Sequence, residues 1–305
     1  MEEVQTENAA LASILETHIK PDMVDVSRGN KDSVQVLITH DPQHGDIIHS
    51  LKTYVDEYAE TPDRKKGTAS VDSAESFVEL TNRHKLENSA LFAHIDDTST
   101  VAKMWGVINY HGGDETAQQF CDHKICYNFP FSEEFNAWNE SNKKQMSQSD
   151  FAYFLEDRIV DVMVPGNIED PQLFDVVQKM GGNLAFPEKM MSLASGLKVN
   201  VNEKVHQAYN TTNGETQIQF SHEHTDEKGA PVKVPNLFMI HIPIFDDGQY
   251  HEMLVRLRHR VKSGDVSWFY ELYRPRAIVN KAFRTTCELA QVETQLPLFY
   301  GTPES

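Results

Sequence analysis

The chain has 305 residues, of which 39% are hydrophobic and 10% aromatic, and its formal net charge is −18. This length is enough to bury one large core or two ordinary ones, and the spread of aromatic residues excludes a wholly disordered protein. Three cysteines do not make a disulfide framework, and no apolar run approaches the ~18 residues of a membrane span. The N-terminus is acidic and amphipathic and lacks the pattern of a secretory signal, so we expect a soluble cytoplasmic protein that does not bind a membrane.

The first sixty residues are predicted to form a helix–strand–helix extension, residues 1–60. Partial helical periodicity predicts a short amphipathic helix over residues 6–18. Residues 34–38 are predicted as a strand. The spacing of apolar residues over 46–57 predicts a second helix with one buried face.

Residues 61–195 are predicted to form a mixed α+β domain. It begins with the basic turn Arg64, Lys65 and Lys66, and Ser73 opens a helix that ends near His84. Two segments rich in branched and aromatic residues, separated by a polar turn, predict a hairpin over 89–95 and 101–110. The remaining predicted elements are a strand at 123–129 and helices at 135–139, 147–162, 171–179 and 187–194.

Residues 196–305 are predicted to form an antiparallel sheet closed by a C-terminal helix. The apolar pattern changes there from helical spacing to alternation, and Asn213-Gly214 is a strong hairpin signal. The fold class is therefore α+β: a mixed N-terminal α/β region, an antiparallel meander of five or six strands and a final helix. The predicted strands are 197–201, 205–211, 215–224, 237–245, 250–261 and 266–273, and the helix covers 274–292.

Basic residues are concentrated near the carboxyl end. Between His251 and Thr285, eight Arg and Lys stand against three Asp and Glu, so this segment carries +5 and the rest of the chain −23. A chain this acidic repels nucleic acid at long range, yet a local basic face can still bind an anion or the acidic surface of another copy.

The alternation of residues 252–261 predicts a strand with one apolar and one basic face. Met253, Val255, Leu257 and Val261 share one side, and three arginines share the other. With Phe269 and Tyr273 on the next strand, such a face suits phosphate contacts and base stacking, or ion pairs with Glu223, Glu252, Glu271 or a neighbouring subunit. The predicted anion-binding, nucleic-acid-binding or intersubunit residues are Arg256, Arg258, Arg260, Tyr273, Arg274, Arg276, Arg64, Lys65 and Lys66.

Sequence motifs of catalysis are missing. The chain has no phosphate loop, dinucleotide fingerprint, serine elbow, HExxH or paired CxxC. His222, His224 and Asp226 are a weak metal candidate, which we interpret as a polar strand end, and Cys121, His123 and Cys126 are interpreted as buried thiols beside a histidine. We therefore predict no cofactor, no metal and no enzymatic activity. A metal-dependent hydrolase that uses His222 and His224 is the minor alternative.

Several ordered segments resemble one family. They are Asp63–Val71, Gly106–His111, Met146–Phe151, Phe154–Asp157, Tyr273–Arg276 and the β-rich stretch 216–245. Over about residues 61–286 the chain resembles the YfdQ-like family of phage and prophage proteins, a domain of unknown function. The resemblance implies an early phage accessory protein made in the bacterial host cytoplasm, and it transfers no catalytic residues.

These observations predict a non-enzymatic accessory protein that acts as a homo-oligomer and binds a host or phage component through charge-complementary surfaces. A nucleic-acid-binding accessory protein for phage recombination or replication is one alternative, with DNA or a nucleotide as the partner. An anti-defence inhibitor that captures a host protein, or mimics DNA with its acidic surface, is another.

Overall fold

The computed structural model describes residues 22–28, 31–41, 45–51, 61, 64–114, 117–166, 171–179, 184–199, 204–210, 216–221, 232–262 and 265–304. The chain divides into two compact units, Met1–Lys65 and Lys66–Ser305. Among the described helices, none combines the length and the apolar character needed to cross a bilayer.

The first unit contains a three-stranded antiparallel sheet in the order β1-β2-β3, and β2 confirms the strand predicted at 34–38. The helix predicted over 46–57 is wrong in its first turn, because Ile47 and Ile48 pair with Thr39 and Ile38 of β2. Branched side chains favour such cross-strand pairs over a helix. The helix predicted at 6–18 and residues 52–60 lie outside the described residues. The strands are β1 (Asp22–Arg28), β2 (Lys31–Asp41) and β3 (Gly45–Ser50).

The second unit begins with a five-stranded mixed sheet in the order β15-β5-β6-β7-β4. The predicted hairpin is confirmed as the antiparallel pair β5 and β6, and the strand predicted at 123–129 is β7. Strand β4 lies between the basic turn and the helix that Ser73 opens. The strands are β4 (Gly67–Val71), β5 (Ala90–Ile95), β6 (Ala102–Val107), β7 (His123–Asn128) and β15 (Leu298–Tyr300).

The C-terminal strands form two sheets rather than one continuous meander. Three consecutive antiparallel strands, β12, β13 and β14, carry the short parallel strand β8 at one edge, and β9, β10 and β11 form a separate sheet. Pro235 lies between β11 and β12, where its missing N–H interrupts the ladder. The strands are β8 (Leu184–Ala185), β9 (Lys204–Asn210), β10 (Thr216–Ser221), β11 (Val232–Val234), β12 (Leu237–Pro243), β13 (Tyr250–Lys262) and β14 (Asp265–Leu272).

Serine caps open three of the helices. The Oγ atoms of Ser73, Ser132 and Ser147 each accept a hydrogen bond from a backbone N–H of the first turn, which satisfies a donor that the helix leaves without a partner. The predicted helix from Ser147 ends earlier than expected, at Asp157, and a single 3-10 turn follows at Ile159–Asp161. The helices are α1 (Ala74–His84), α2 (Glu133–Glu140), α3 (Gln148–Asp157), α4 (Pro171–Lys179), α5 (Pro187–Val199) and α6 (Pro275–Thr294).

The strand predicted at 197–201 is wrong for residues 197–199, which are the last turn of α5. Met190, Leu193, Ala194 and Leu197 are all buried at helical spacing. The Gln148 side-chain amide also donates to Leu197 O at 2.8 Å. Tertiary packing therefore extends the helix through a sequence that also fits an alternating strand.

One hydrophobic core joins the predicted regions on either side of residue 195. The Phe151 ring of α3 stacks on the Trp268 ring of β14, with centroids 5.4 Å apart and planes at 4°. The Tyr270 hydroxyl donates to Trp138 O at 2.6 Å, and Trp138 Nε1 donates to Asp161 Oδ2 at 2.8 Å. Helices α2 and α3 thus cover one face of the β12–β14 sheet, and the other face is only partly covered, by α4.

Candidate functional site

The predicted alternation along β13 is present in the structure. Met253, Val255 and Leu257 face the core, and the arginines alternate with them. Leu254 lies on the arginine side and is nevertheless buried, because it packs with Val177 of α4 and with apolar residues of β12.

The predicted row of three arginines is not uniformly exposed. Arg256 is half-buried, whereas Arg258 and Arg260 are exposed. Val261, predicted on the packed face, is 42% exposed near the end of the strand. The exposed basic face consists of two guanidinium groups rather than three.

Strand β13 extends past both of its neighbours. The β12 ladder ends at the pair Leu237 and Arg256, so the last residues of β13 have no β12 partner. The β14 ladder begins at the pair Val255 and Leu272, so the first residues of β13 have no β14 partner. A cavity forms at each of these two steps in the sheet.

The β13–β14 cavity, about 410 Å³, lies at the end of β13 and is lined by Arg258, Arg260, Phe269, Glu271 and Asn236, among others. Arg258 Nε lies 3.2 Å from Glu271 Oε2, and the Arg260 guanidinium lies 5.4 Å from the centre of the Phe269 ring. Both contacts follow from the register, which pairs Arg258 with Phe269 and places the other partners diagonally.

Asn236, His259 and Arg260 define the polarity of this cavity. Asn236 Oδ1 is buried and accepts no hydrogen bond from any described residue, and Arg260 forms no ion pair with a carboxylate in the part of the chain that is described. Burial lowers the pKa of His259, which favours a neutral imidazole at neutral pH. A guanidinium, an aromatic ring and neutral polar groups together suit an anionic partner.

The other predicted basic residues lie elsewhere. Tyr273 and Arg274 line a second cavity of about 750 Å³, which we call the α6 cleft. Arg276 is exposed, with Nη2 at 3.9 Å from Asp97 Oδ1. The structure therefore brings together Arg258 and Arg260, and separately Tyr273 and Arg274, but not all the predicted arginines.

The basic turn before β4, formed by Arg64, Lys65 and Lys66, is exposed. Lys66, which belongs to the same unit as the two cavities, lines neither of them.

The predicted metal candidates His222, His224 and Asp226 lie outside the described residues. Within the described ranges, no group of three or more His, Cys, Asp and Glu side chains is arranged to hold a metal ion.

Comparison with known proteins gives a family without an assigned activity. Residues 30–303 match the model of the family described as "Uncharacterized conserved protein (DUF2303)". The chain belongs to the DUF2303 family. No curated protein and no solved structure matches it.

The thiols of this DUF2303 chain are buried, as the sequence predicted. Burial raises the pKa of Cys126, and it raises the pKa of Cys287 to about 12. Burial and the nearby Glu304 carboxylate raise the pKa of Cys121. These side chains are therefore thiols and not thiolates at neutral pH.

His111 is a partner of Cys121 that sequence reasoning missed. Its Nε2 lies 3.3 Å from Cys121 Sγ, and its Nδ1 accepts the Gln119 backbone N–H at 2.9 Å. The neutral ring must then carry its proton on Nε2, so no lone pair is available to remove the thiol proton. The pair does not have the arrangement of a nucleophile and its general base.

Sequence reasoning also missed most of the polar lining of the α6 cleft, which includes His241, Tyr250, His251 and Lys281. One signal was present, because Arg274, Ala277, Ile278 and Lys281 share the i, i+3, i+4, i+7 spacing of one helix face.

Proposed function

We propose that the protein is a non-enzymatic binding protein that recognises an anionic partner at the β13–β14 cavity. The observation that supports this best is the pair of exposed arginines on one strand face, Arg258 and Arg260, next to the Phe269 ring. Arginine forms bidentate contacts with carboxylates and stacks on aromatic rings, so this face can bind an acidic protein surface.

The favoured partner is a second copy of the chain. Outside residues 251–285 each copy carries −23, and within that segment it carries +5. Opposite charges on one molecule favour an assembly in which the basic face of one copy contacts the acidic surface of the next. Together with the resemblance to YfdQ-like phage proteins, this supports a homo-oligomeric phage accessory protein in the host cytoplasm.

Salt dependence of the oligomeric state tests this proposal. We expect light scattering to report an oligomer at low salt and smaller species at high salt, because ion pairs at a polar interface are screened. The double variant Arg258→Gln/Arg260→Gln should be smaller at low salt. The control Arg276→Gln/Arg284→Gln removes the same charge from α6 and should assemble normally. A monomer at every salt concentration contradicts self-association.

Single-stranded nucleic acid is the second candidate partner, and the Arg260–Phe269 contact is the observation that favours it. Paired arginine and aromatic side chains are typical of single-strand binding surfaces, although the net charge of −18 opposes this partner. Fluorescence anisotropy of a labelled oligonucleotide separates the two candidates. Binding that weakens steeply with salt and is lost in Phe269→Ala supports nucleic acid.

A further inference from the structure

The α6 cleft lies where β13 extends past the end of β14. The Tyr273 backbone N–H donates to Leu254 O at 2.8 Å, after which the chain turns into α6. The first residues of β13 therefore have α6 beside them in place of a strand, and a cavity of about 750 Å³ remains between them. This volume is within the range of about 300–1,000 Å³ that is typical of small-molecule sites.

Two cations line this cleft. Arg274 is the N-cap residue immediately before α6, and Lys281 lies about two turns into the helix. Arg274 has a left-handed backbone (φ 49°, ψ 48°), which a residue other than glycine adopts only at a cost. In the described part of the chain no carboxylate forms an ion pair with Arg274. The positive end of the α6 dipole adds to the attraction for an anion.

Aromatic and aliphatic side chains form another part of the lining. Tyr250 is 60% exposed, and its ring centre lies 5.2 Å from that of His241. Tyr273 and the α4 residues Leu173 and Val176 also line the cleft. Exposed rings next to aliphatic side chains favour a flat, uncharged ring system over a second anionic group.

Glu252 and His251 add hydrogen-bonding groups. Both are half-buried and line the cleft. Burial, followed by the nearby Lys281 charge, lowers the pKa of His251, so its neutral ring offers one donor and one acceptor. The Glu252 carboxylate is suited to accept hydrogen bonds from hydroxyl or amino groups of a ligand.

We propose that the α6 cleft binds a nucleoside monophosphate. The phosphate binds between Arg274 and Lys281. The base packs against the exposed Tyr250 ring, and Glu252 accepts hydrogen bonds from the sugar hydroxyls. The Arg274 guanidinium also lies over the Tyr273 ring, 5.4 Å from its centre. A phosphate fits better than a carboxylate because two cations match a doubly charged group. This site is separate from the β13–β14 cavity and goes beyond the proposed function.

Isothermal titration calorimetry with AMP, adenosine and inorganic phosphate tests the proposal. We expect AMP to bind saturably, and adenosine and phosphate each to bind at least about tenfold more weakly, because each carries half of the contacts. The variants Arg274→Asn and Lys281→Gln should each weaken AMP binding about 5- to 20-fold. Asparagine retains the left-handed backbone at residue 274, and circular dichroism checks the fold of each variant.

A matched control makes the result specific to the cleft. Arg284→Gln removes one charge from the same helix at a residue that contacts the Tyr300 ring instead, and it should bind AMP like the unaltered chain. Binding of none of AMP, GMP, CMP and UMP at about 5 mM overturns the proposal. It is also overturned by unchanged AMP affinity in Arg274→Asn, or by phosphate binding as tightly as AMP.

The two proposals fail separately. Arg258→Gln/Arg260→Gln should lose salt-dependent assembly and keep AMP binding, since neither residue lines the α6 cleft. Loss of AMP binding in that double variant contradicts the assignment of the ligand to the cleft.

Discussion

The two faces of the β12–β14 sheet differ in burial, although they are built from alternate residues of the same strands. On the inner face Met253, Val255 and Trp268 are fully buried against α2 and α3. On the outer face α4 covers Leu254, and beyond it Arg258 and Arg260 are exposed. Stability depends on the inner positions, and the proposed function assigns recognition to the outer ones, so substitutions on the two faces should separate the two properties.

Trp268→Ala should have the largest effect on stability. The side chain is fully buried and stacks on Phe151, so its removal leaves a large cavity. We expect the free energy of unfolding to fall by about 3–5 kcal/mol, as measured by guanidinium denaturation. A fall below about 1 kcal/mol contradicts the assignment of this face to the core.

Tyr270→Phe removes one inner-face hydrogen bond without removing the ring. The hydroxyl donates to Trp138 O at 2.6 Å in a buried position. The free energy of unfolding should fall by about 1–2 kcal/mol, because the carbonyl loses its partner. The same denaturation experiment checks this, and an unchanged midpoint shows that the bond does not stabilise the fold.

The variant Asp161→Asn tests how a buried carboxyl at the edge of the inner core makes the free energy of unfolding depend on pH. Burial raises the pKa of Asp161, opposed by the hydrogen bond from Trp138 and by the Arg158 charge. Because the pKa of Asp161 is higher in the folded than in the unfolded chain, its protonated form stabilises the fold fully below the unfolded pKa of about 4. This stabilisation is lost as pH rises through the folded pKa. The stability of the unaltered chain relative to the variant should therefore fall as pH rises from about 3 to 7. A rise over that interval contradicts the prediction.

Glu271→Gln should have the smallest effect on stability. It should strengthen association, whereas Arg258→Gln/Arg260→Gln should weaken it. It removes the partner of Arg258 at an ion pair that is partly exposed, so stability should change by less than about 0.5 kcal/mol. The released guanidinium should strengthen salt-dependent association a few-fold. Sedimentation velocity at low salt measures this, and weaker association shows that Glu271 itself contacts the partner.

Local patterns in the sequence predict the alternation of β13 because the period of a strand depends only on neighbouring residues. They do not predict that α4 covers Leu254, since this contact joins residues from different parts of the chain. Leu197 shows the same limit, because its surroundings fit a strand until packing with Leu193 and Gln148 selects a helix. The α6 cleft depends on where β14 ends against β13, and sequence spacing does not define that register.

The most direct test of recognition on the outer face of β13 and β14 is hydrogen–deuterium exchange at low salt, with dilute and concentrated protein compared. A higher protein concentration should slow exchange in peptides that cover residues 256–271 and leave exchange in α2 and α3 unchanged. High salt should remove this protection. Concentration-dependent protection elsewhere, with residues 256–271 unchanged, would contradict the account.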